Sequence, residues 1–143
     1  MAKKLVFHTK EVVGFSEAPD EYVSRMLIDE TNCGSDRVQI NHFTLKPGKK
    51  SGPGTHPEPY DEVYYILSGR AALRLGDESE VYDVRPGHLA FIPAGTPHGL
   101  ENTGDEDLEI LTIWSGPIGE GANPLYDARL RRWGKTFKLI GEK

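Results

Sequence analysis

The chain has 143 residues, the length of one domain, which excludes an enzyme that closes two domains over a large substrate. Its 17 basic and 22 acidic residues give a formal net charge of −5, which is poorly suited to nucleic acid or an anionic membrane. The one cysteine, Cys33, excludes an internal disulfide. No apolar run reaches the length of a signal peptide or a membrane span, so we expect a cytoplasmic protein.

Glycine (16 residues) and proline (10 residues) divide the chain into short apolar segments. The predicted strands cover residues 23–28, 37–46, 62–68, 71–75, 80–84, 88–92, 98–102 and 108–114. Turn signals recur roughly every 8 to 12 residues, a spacing that is typical of an antiparallel barrel or sandwich. Residues 47–61 contain seven glycines and prolines, so we expect a long loop with no helix or central strand.

The last part of the chain differs from the rest. Asn123 suits a helix N-cap, Pro124 the first helical position, and Gly134 the position after the end. The sequence therefore predicts a short helix over residues 124–133. Arg129 belongs to a group of basic residues there, which we interpret as a solvated helix face.

His56 and His98 are each close to the start of a predicted strand. His56 lies at the end of the glycine- and proline-rich loop, and His98 opens a strand. Between them, Glu62 opens a strand that continues as an apolar and aromatic run. A carboxylate at the start of a buried strand needs a partner. Two imidazoles and one carboxylate suit Fe(II) and are compatible with Mn, Ni, Co or Zn.

Two motifs surround these residues. The second motif has Gly87, Pro93, Gly95, His98 and Asn102 at the fixed positions of the second motif of the cupin superfamily. The first runs from His56 through Glu62 to Gly69 and resembles the first cupin motif. Residues 70–86 separate them, which is similar to the short spacer of small single-domain cupins.

The first motif departs from the usual pattern, which has two histidines before the glutamate. Counting back from Glu62 puts the second histidine position at Glu58, giving the ligands His56, Glu58, Glu62 and His98. Counting forward from Gly48 puts that position at His56 and leaves three ligands. Pro57 and Pro59 restrict the backbone to extended shapes, so His56 and Glu58 would project in the same direction. Both counts keep His56, Glu62 and His98.

The resemblance implies an all-β cupin jelly-roll barrel, a double-stranded β-helix. One domain would span residues 1–143, with a barrel core at about 22–116 and a helix at about 124–133. It implies one divalent metal ion per chain, with Fe, Mn or Zn favoured over Ni or Co, and often a homodimer. Apolar residues 5–7 and 23–28 are suited to joining or covering a sheet edge.

The function predicted on this basis is a metal-dependent enzyme acting on a small organic molecule by oxygenase, isomerase or lyase chemistry. Glu62 would be a ligand that can also act as a base. Tyr64 shares the strand face of Glu62 and is a candidate to bind substrate, or else a packed core residue. His42 is expected to be a structural or pocket-lining histidine that could contact substrate, and not a metal ligand. The alternative is a cupin that binds or senses a small metabolite without turnover. We expect a small-molecule ligand and neither nucleic acid nor membrane as a partner.

Overall fold

The computed structural model describes residues 5–31, 33–57, 59–77, 80–116 and 124–134, which are mostly β-structure. A 3₁₀ turn (Thr9–Glu11) comes first. The strands and the helix follow in this order: β1 (Tyr22–Ile28), β2 (Val38–Leu45), β3 (Lys50–Gly54), β4 (Glu62–Ser68), β5 (Ala71–Leu75), β6 (Glu80–Val84), β7 (Leu89–Ile92), β8 (His98–Asn102), β9 (Leu108–Ser115) and α1 (Pro124–Trp133). The predicted all-β fold with a short C-terminal helix is confirmed.

The strands form two antiparallel sheets. The five-stranded sheet has the order β1-β2-β9-β4-β7, and the four-stranded sheet has the order β3-β8-β5-β6. Because side chains alternate along a strand, each sheet turns one row of residues toward the other sheet. The main apolar core lies between them and includes Phe43, Leu45, Ile66, Leu73, Leu108 and Ile110. This arrangement is the jelly roll, and it leaves space for a cavity at one end of the core.

The N-terminal segment covers part of the outer face of the five-stranded sheet. Val12 and Leu27 form a small buried cluster with Phe7 and Ile40 packed against it. Phe15 is buried and bridges to Ser24 of β1. Residues 23–28, predicted to cover a sheet edge or join a partner, are therefore packed in part against the chain's own first residues.

Strand β3 lies within residues 47–61, which were predicted to be one long loop. It pairs with β8 at the edge of the four-stranded sheet. An edge strand tolerates Pro53, which has no N–H to donate. Gly52 has a φ of +87°, and a Cβ there would lie 2.8 Å from the carbonyl oxygen of His98, so only glycine fits this close pairing. The prediction of a continuous loop was wrong for residues 50–54, whereas the exclusion of a central strand agrees with the position of β3 at the sheet edge.

Helix α1 has the predicted bounds, and its C-terminal end is closed by Gly134, whose N–H donates to the carbonyl of Leu130. The cap predicted at Asn123 lies outside the described residues. Arg129 was expected on a solvated face, but it is buried and pairs with the buried Asp29 at 2.7 Å. None of the described helices is long and apolar enough to cross a membrane.

Candidate metal centre

Three different segments place His56, Glu62 and His98 at one end of the barrel. Glu62 is the first residue of β4 and is paired with Trp114 of the neighbouring strand β9. His98 is the first residue of β8. His56 follows β3, and its carbonyl accepts a hydrogen bond from the N–H of Gly95 at 2.7 Å, which ties this segment to the turn before His98. The backbone of Glu62 is therefore held in one sheet and that of His98 in the other, while the hydrogen bond from Gly95 holds the backbone of His56.

The three side chains converge on one point. Glu62 Oε1 lies 3.1 Å from His56 Nε2 and 3.2 Å from His98 Nε2, and one ligand atom from each residue lies within 4.8 Å of the others. Two ligands that bind one ion at about 2.1 Å and at right angles are about 3 Å apart. The spacing and the donor set of two imidazole nitrogens and one carboxylate therefore fit a divalent metal ion.

A second hydrogen bond orients His98. Its Nδ1–H donates to the carbonyl of Thr96 at 2.9 Å, which directs Nε2 toward Glu62. Burial lowers the pKa of His98, but the Glu62 carboxylate and the Thr96 carbonyl outweigh burial, so the pKa lies above its usual value. Burial raises the pKa of Glu62, but hydrogen bonds to both imidazoles outweigh it, so this pKa is lowered. The protein thus holds Glu62 as a carboxylate.

Tyr64 lies two residues beyond Glu62 on the same strand face. It is buried, and its ring meets the ring of His98 edge-on at 5.9 Å. Burial raises the pKa of Tyr64 well above its usual value, and the neighbouring Glu62 carboxylate raises it further. The hydroxyl therefore stays protonated and is a hydrogen-bond donor beside the metal centre.

The three predicted ligands open onto a cavity of about 330 Å³ between the two sheets. Its wall also includes Tyr64, Asn41, Phe43, Thr112, Trp114 and Leu125. The Trp114 ring lies 4.1 Å from the ring of His56 and fixes one side of that imidazole. A cavity of this size, apolar with a few polar groups, suits a small ligand that contacts the metal ion.

Two of the predicted site residues are not placed in this cluster. Glu58 lies outside the described residues, so its role as a fourth ligand stays a prediction. His42 lies on β2, where Asn41 and Phe43 face the cavity and His42 faces the opposite side. Its Nε2 is 3.5 Å from Glu109 Oε1. The strand alternation that puts Asn41 inside turns His42 outward, so His42 is not a pocket-lining residue.

We expect His42 to make the fold less stable in acid. Burial lowers its pKa, and Arg25 lowers it further, while Glu109 opposes both. Below the unfolded value of about 6.5, the unfolded chain gains a proton here that the folded protein does not. The contribution of His42 to the free energy of unfolding should therefore be lost between pH 7 and pH 5, against an opposite contribution from His98, whose pKa is raised. Urea unfolding should show a smaller fall in the free energy of unfolding in the variant His42→Gln, and an equal fall in both proteins would contradict this assignment.

Several cavity residues were not singled out from the sequence. Asn41 and Thr112 lie in the predicted strands 37–46 and 108–114, but no role was predicted for either residue. A polar residue on an otherwise apolar strand face was the signal that could have identified Asn41. Trp114 is the last residue of the predicted strand 108–114, and its position on that strand did not indicate whether it lines the cavity.

Comparison with known proteins agrees with this geometry. Residues 41–114 match the cupin domain family, which is more than half of the chain. The chain therefore belongs to the cupin family, as the motifs around His56 and His98 predicted.

The proteins that are similar to this chain carry names that do not agree on one function. The oxalate-binding protein of Thermotoga maritima is 35% identical over 121 residues, which is 73% of this chain and 93% of that protein. An uncharacterised protein of Streptomyces coelicolor is 39% identical over 80 residues, covering 56% of this chain and 71% of that one. The polyketide cyclase RemF of Streptomyces resistomycificus has a TM-score of 0.67 at 23% identity, over 94% of this chain and 96% of its own, which shows the shared fold alone.

Proposed function

We propose that the protein is a metal-dependent cupin enzyme that acts on a small organic acid inside the barrel. One divalent ion, with Fe, Mn or Zn favoured, would be held by His56, Glu62 and His98. The observation that supports this most directly is the convergence of three ligand atoms within 4.8 Å of one another at the wall of the cavity. Three protein ligands leave coordination positions open for a substrate.

The metal ion would supply Lewis-acid or redox chemistry, and residues of the chain would supply a base and a hydrogen-bond donor. Glu62 Oε1 lies 3.1 Å and 3.2 Å from the two imidazole nitrogens that would share the ion with it, and Glu62 would be the base nearest a bound substrate. The Tyr64 hydroxyl donates a hydrogen bond in the same region. The apolar wall around Trp114 keeps bulk water away from the reacting group. This arrangement suits oxygenase, isomerase or lyase reactions of a chelating acid.

Elemental analysis tests whether the protein binds a divalent metal ion. Protein purified without added metal, then reconstituted, should contain about one divalent ion per chain. Well under one ion after reconstitution would contradict the metal centre. Oxygen uptake and product formation with a panel of small hydroxy and keto acids test whether the protein is an enzyme that acts on a small organic acid.

A second candidate is a binding protein without turnover. The observation in its favour is the name of the Thermotoga maritima relative, an oxalate-binding protein, which is 35% identical to this chain. A metal-loaded protein that binds a small acid in calorimetry, yet leaves it unchanged after prolonged incubation with and without oxygen, would favour this candidate over the enzyme.

Glu58 separates the two possible ligand sets. If it is a ligand, two carboxylates give the site one more negative charge than the usual three histidines and one glutamate, which favours Mn(II), Fe(II) or Zn(II) over copper. The variant Glu58→His should restore the usual set, and Glu58→Gln should remove only the charge. Metal content and preference measured for both variants should then change. Unchanged values in both would favour the three-ligand set.

We also propose a homodimer. Leu89 and Phe91 of β7 are 69% and 60% exposed, and β7 is an edge strand of the five-stranded sheet. A second copy would cover this apolar edge, which otherwise invites aggregation. Light scattering at micromolar concentration should give the mass of a dimer for the wild type and of a monomer for Phe91→Lys. A monomeric wild type would overturn this proposal.

A further inference from the structure

A small polar pocket lies between the inner face of β2 and helix α1. Its volume is about 20 Å³, and the residues with polar side chains that line it are Ser24, Gln39, Asn41, Thr112, Tyr126 and Arg129. This volume holds one group of the size of a water molecule, since a single water needs a space of at least about 10–15 Å³. The pocket is separate from the metal-binding side chains but belongs to the same end of the barrel.

Two buried polar atoms in the part of the chain that the structure describes have no hydrogen-bond partner in this pocket. They are Gln39 Oε1, an acceptor, and Arg129 Nε, a donor, on residues that are 3% and 5% exposed. Leaving such atoms unpaired is costly. Arg129 cannot turn away, because its Nη2 is held by Asp29 at 2.7 Å. Neither atom is paired with Ser24 or Asn41, and the Ser24 hydroxyl donates instead to Asn41 Oδ1 at 2.7 Å.

The pocket adjoins the cavity of the metal centre. Asn41, Thr112, Trp114 and Leu125 line both spaces. Glu62 and Gln39 are both paired with Trp114, on opposite sides of β9, so they stand in one row across the sheet. Two strand spacings of about 4.8 Å put their Cα atoms about 10 Å apart. Trp114 stands between them in this row, so a ligand would pass beside its ring, and a chain of about five carbons would span this distance.

We propose that this pocket is a ligand subsite that takes a hydroxyl group, so that the ligand is a hydroxy acid with its hydroxyl at the far end from the metal-bound carboxylate. A hydroxyl accepts the N–H of Arg129 Nε and donates to Gln39 Oε1 at the same time. A carboxylate cannot donate, and a methyl group does neither. The inference rests on the proposed function, since it names the class of acid that the metal centre takes.

Three acids of matched length test the subsite: pentanoate, 5-hydroxypentanoate and pentanedioate. Their dissociation constants would be measured by calorimetry on wild-type protein loaded with Mn(II). We expect 5-hydroxypentanoate to bind about tenfold more tightly than pentanoate, because it satisfies both unpaired atoms. Pentanedioate should not show this gain, because its second carboxylate faces Gln39 Oε1.

A substitution at Gln39 tests whether the preference for 5-hydroxypentanoate over pentanoate arises in this pocket. Gln39→Leu removes the acceptor while keeping a side chain of similar size, and it should bring 5-hydroxypentanoate to within about twofold of pentanoate. Met26→Leu, which changes an apolar residue of the same pocket, is the matched control and should keep the preference.

The possible results of these binding measurements distinguish failure of the hydroxyl subsite from failure of the proposed function. Equal binding of pentanoate and 5-hydroxypentanoate by the wild type means that the pocket holds only a resident water, and it overturns the inference while the metal centre stands. Tighter binding of pentanedioate overturns it in favour of an anion subsite. If the protein binds metal but none of the three acids, the proposed function fails and the subsite with it.

Discussion

The substitution His98→Ala should lower the affinity for a divalent ion by more than about 100-fold and leave the barrel folded. Loss of a group that merely supports a ligand costs roughly 10- to 100-fold in metal affinity, and His98 is proposed to be a ligand itself. The fold should survive because Glu62 keeps its hydrogen bond with His56 at 3.1 Å. Elemental analysis and calorimetry with Mn(II) or Zn(II) measure the first effect, and thermal unfolding of the metal-free proteins measures the second.

His88→Ala is the matched control for this experiment. His88 comes just before β7, and its ring accepts a hydrogen bond from the backbone of Arg85 at an exposed turn. This variant should bind metal like the wild type. A His98→Ala protein that keeps wild-type metal content would contradict the proposed centre, whereas a variant that binds no metal because it is unfolded would be recognised by its circular dichroism.

Asp29→Asn should destabilise the protein by about 3–5 kcal/mol. Asp29 and Arg129 are 2% and 5% exposed, and their charged atoms lie 2.7 Å apart. The substitution leaves the guanidinium buried without an opposite charge, which costs far more than the loss of an exposed pair. The asparagine keeps an oxygen that can accept from Thr31, as Asp29 Oδ1 does now, so the local turn is preserved. Urea unfolding monitored by tryptophan fluorescence measures the change.

Asp83→Asn is the control for charge alone. Asp83 is paired with Arg70 and Arg85 on the surface, where solvent screens the interaction, so its replacement should change stability little. If Asp29→Asn has an effect as small as that of Asp83→Asn, the buried pair does not stabilise α1 against the barrel.

The sequence predicted the residues of the candidate site better than it predicted their surroundings. His56, Glu62 and His98 stand at turns and strand starts, where glycine, proline and hydrophobic alternation are informative locally. Glu62 in particular was singled out because a carboxylate at the head of an apolar strand needs a partner. These signals depend only on neighbouring residues, so they can be read from a single chain.

The errors concern contacts between distant parts of the chain. Arg129 was assigned to a solvated face because its partner, Asp29, is 100 residues away and no local pattern links them. His42 was taken as a pocket residue because the alternation of β2 does not say which of its two faces is inside. The pairing of β3 with β8 depends on the close approach of Gly52 to His98, which no local pattern predicts.

The position of Trp114 gives the protein an optical reporter of its own site. The chain has two tryptophans. The Trp114 ring is 4.1 Å from that of His56, while Trp133 packs edge-on against Phe15 at 5.3 Å, on the segment that precedes β1. In a Trp133→Phe protein, all indole emission would come from the cavity wall. A quenching ion at the histidines or a ligand in the cavity would then be seen directly as a change in that emission, without any added label.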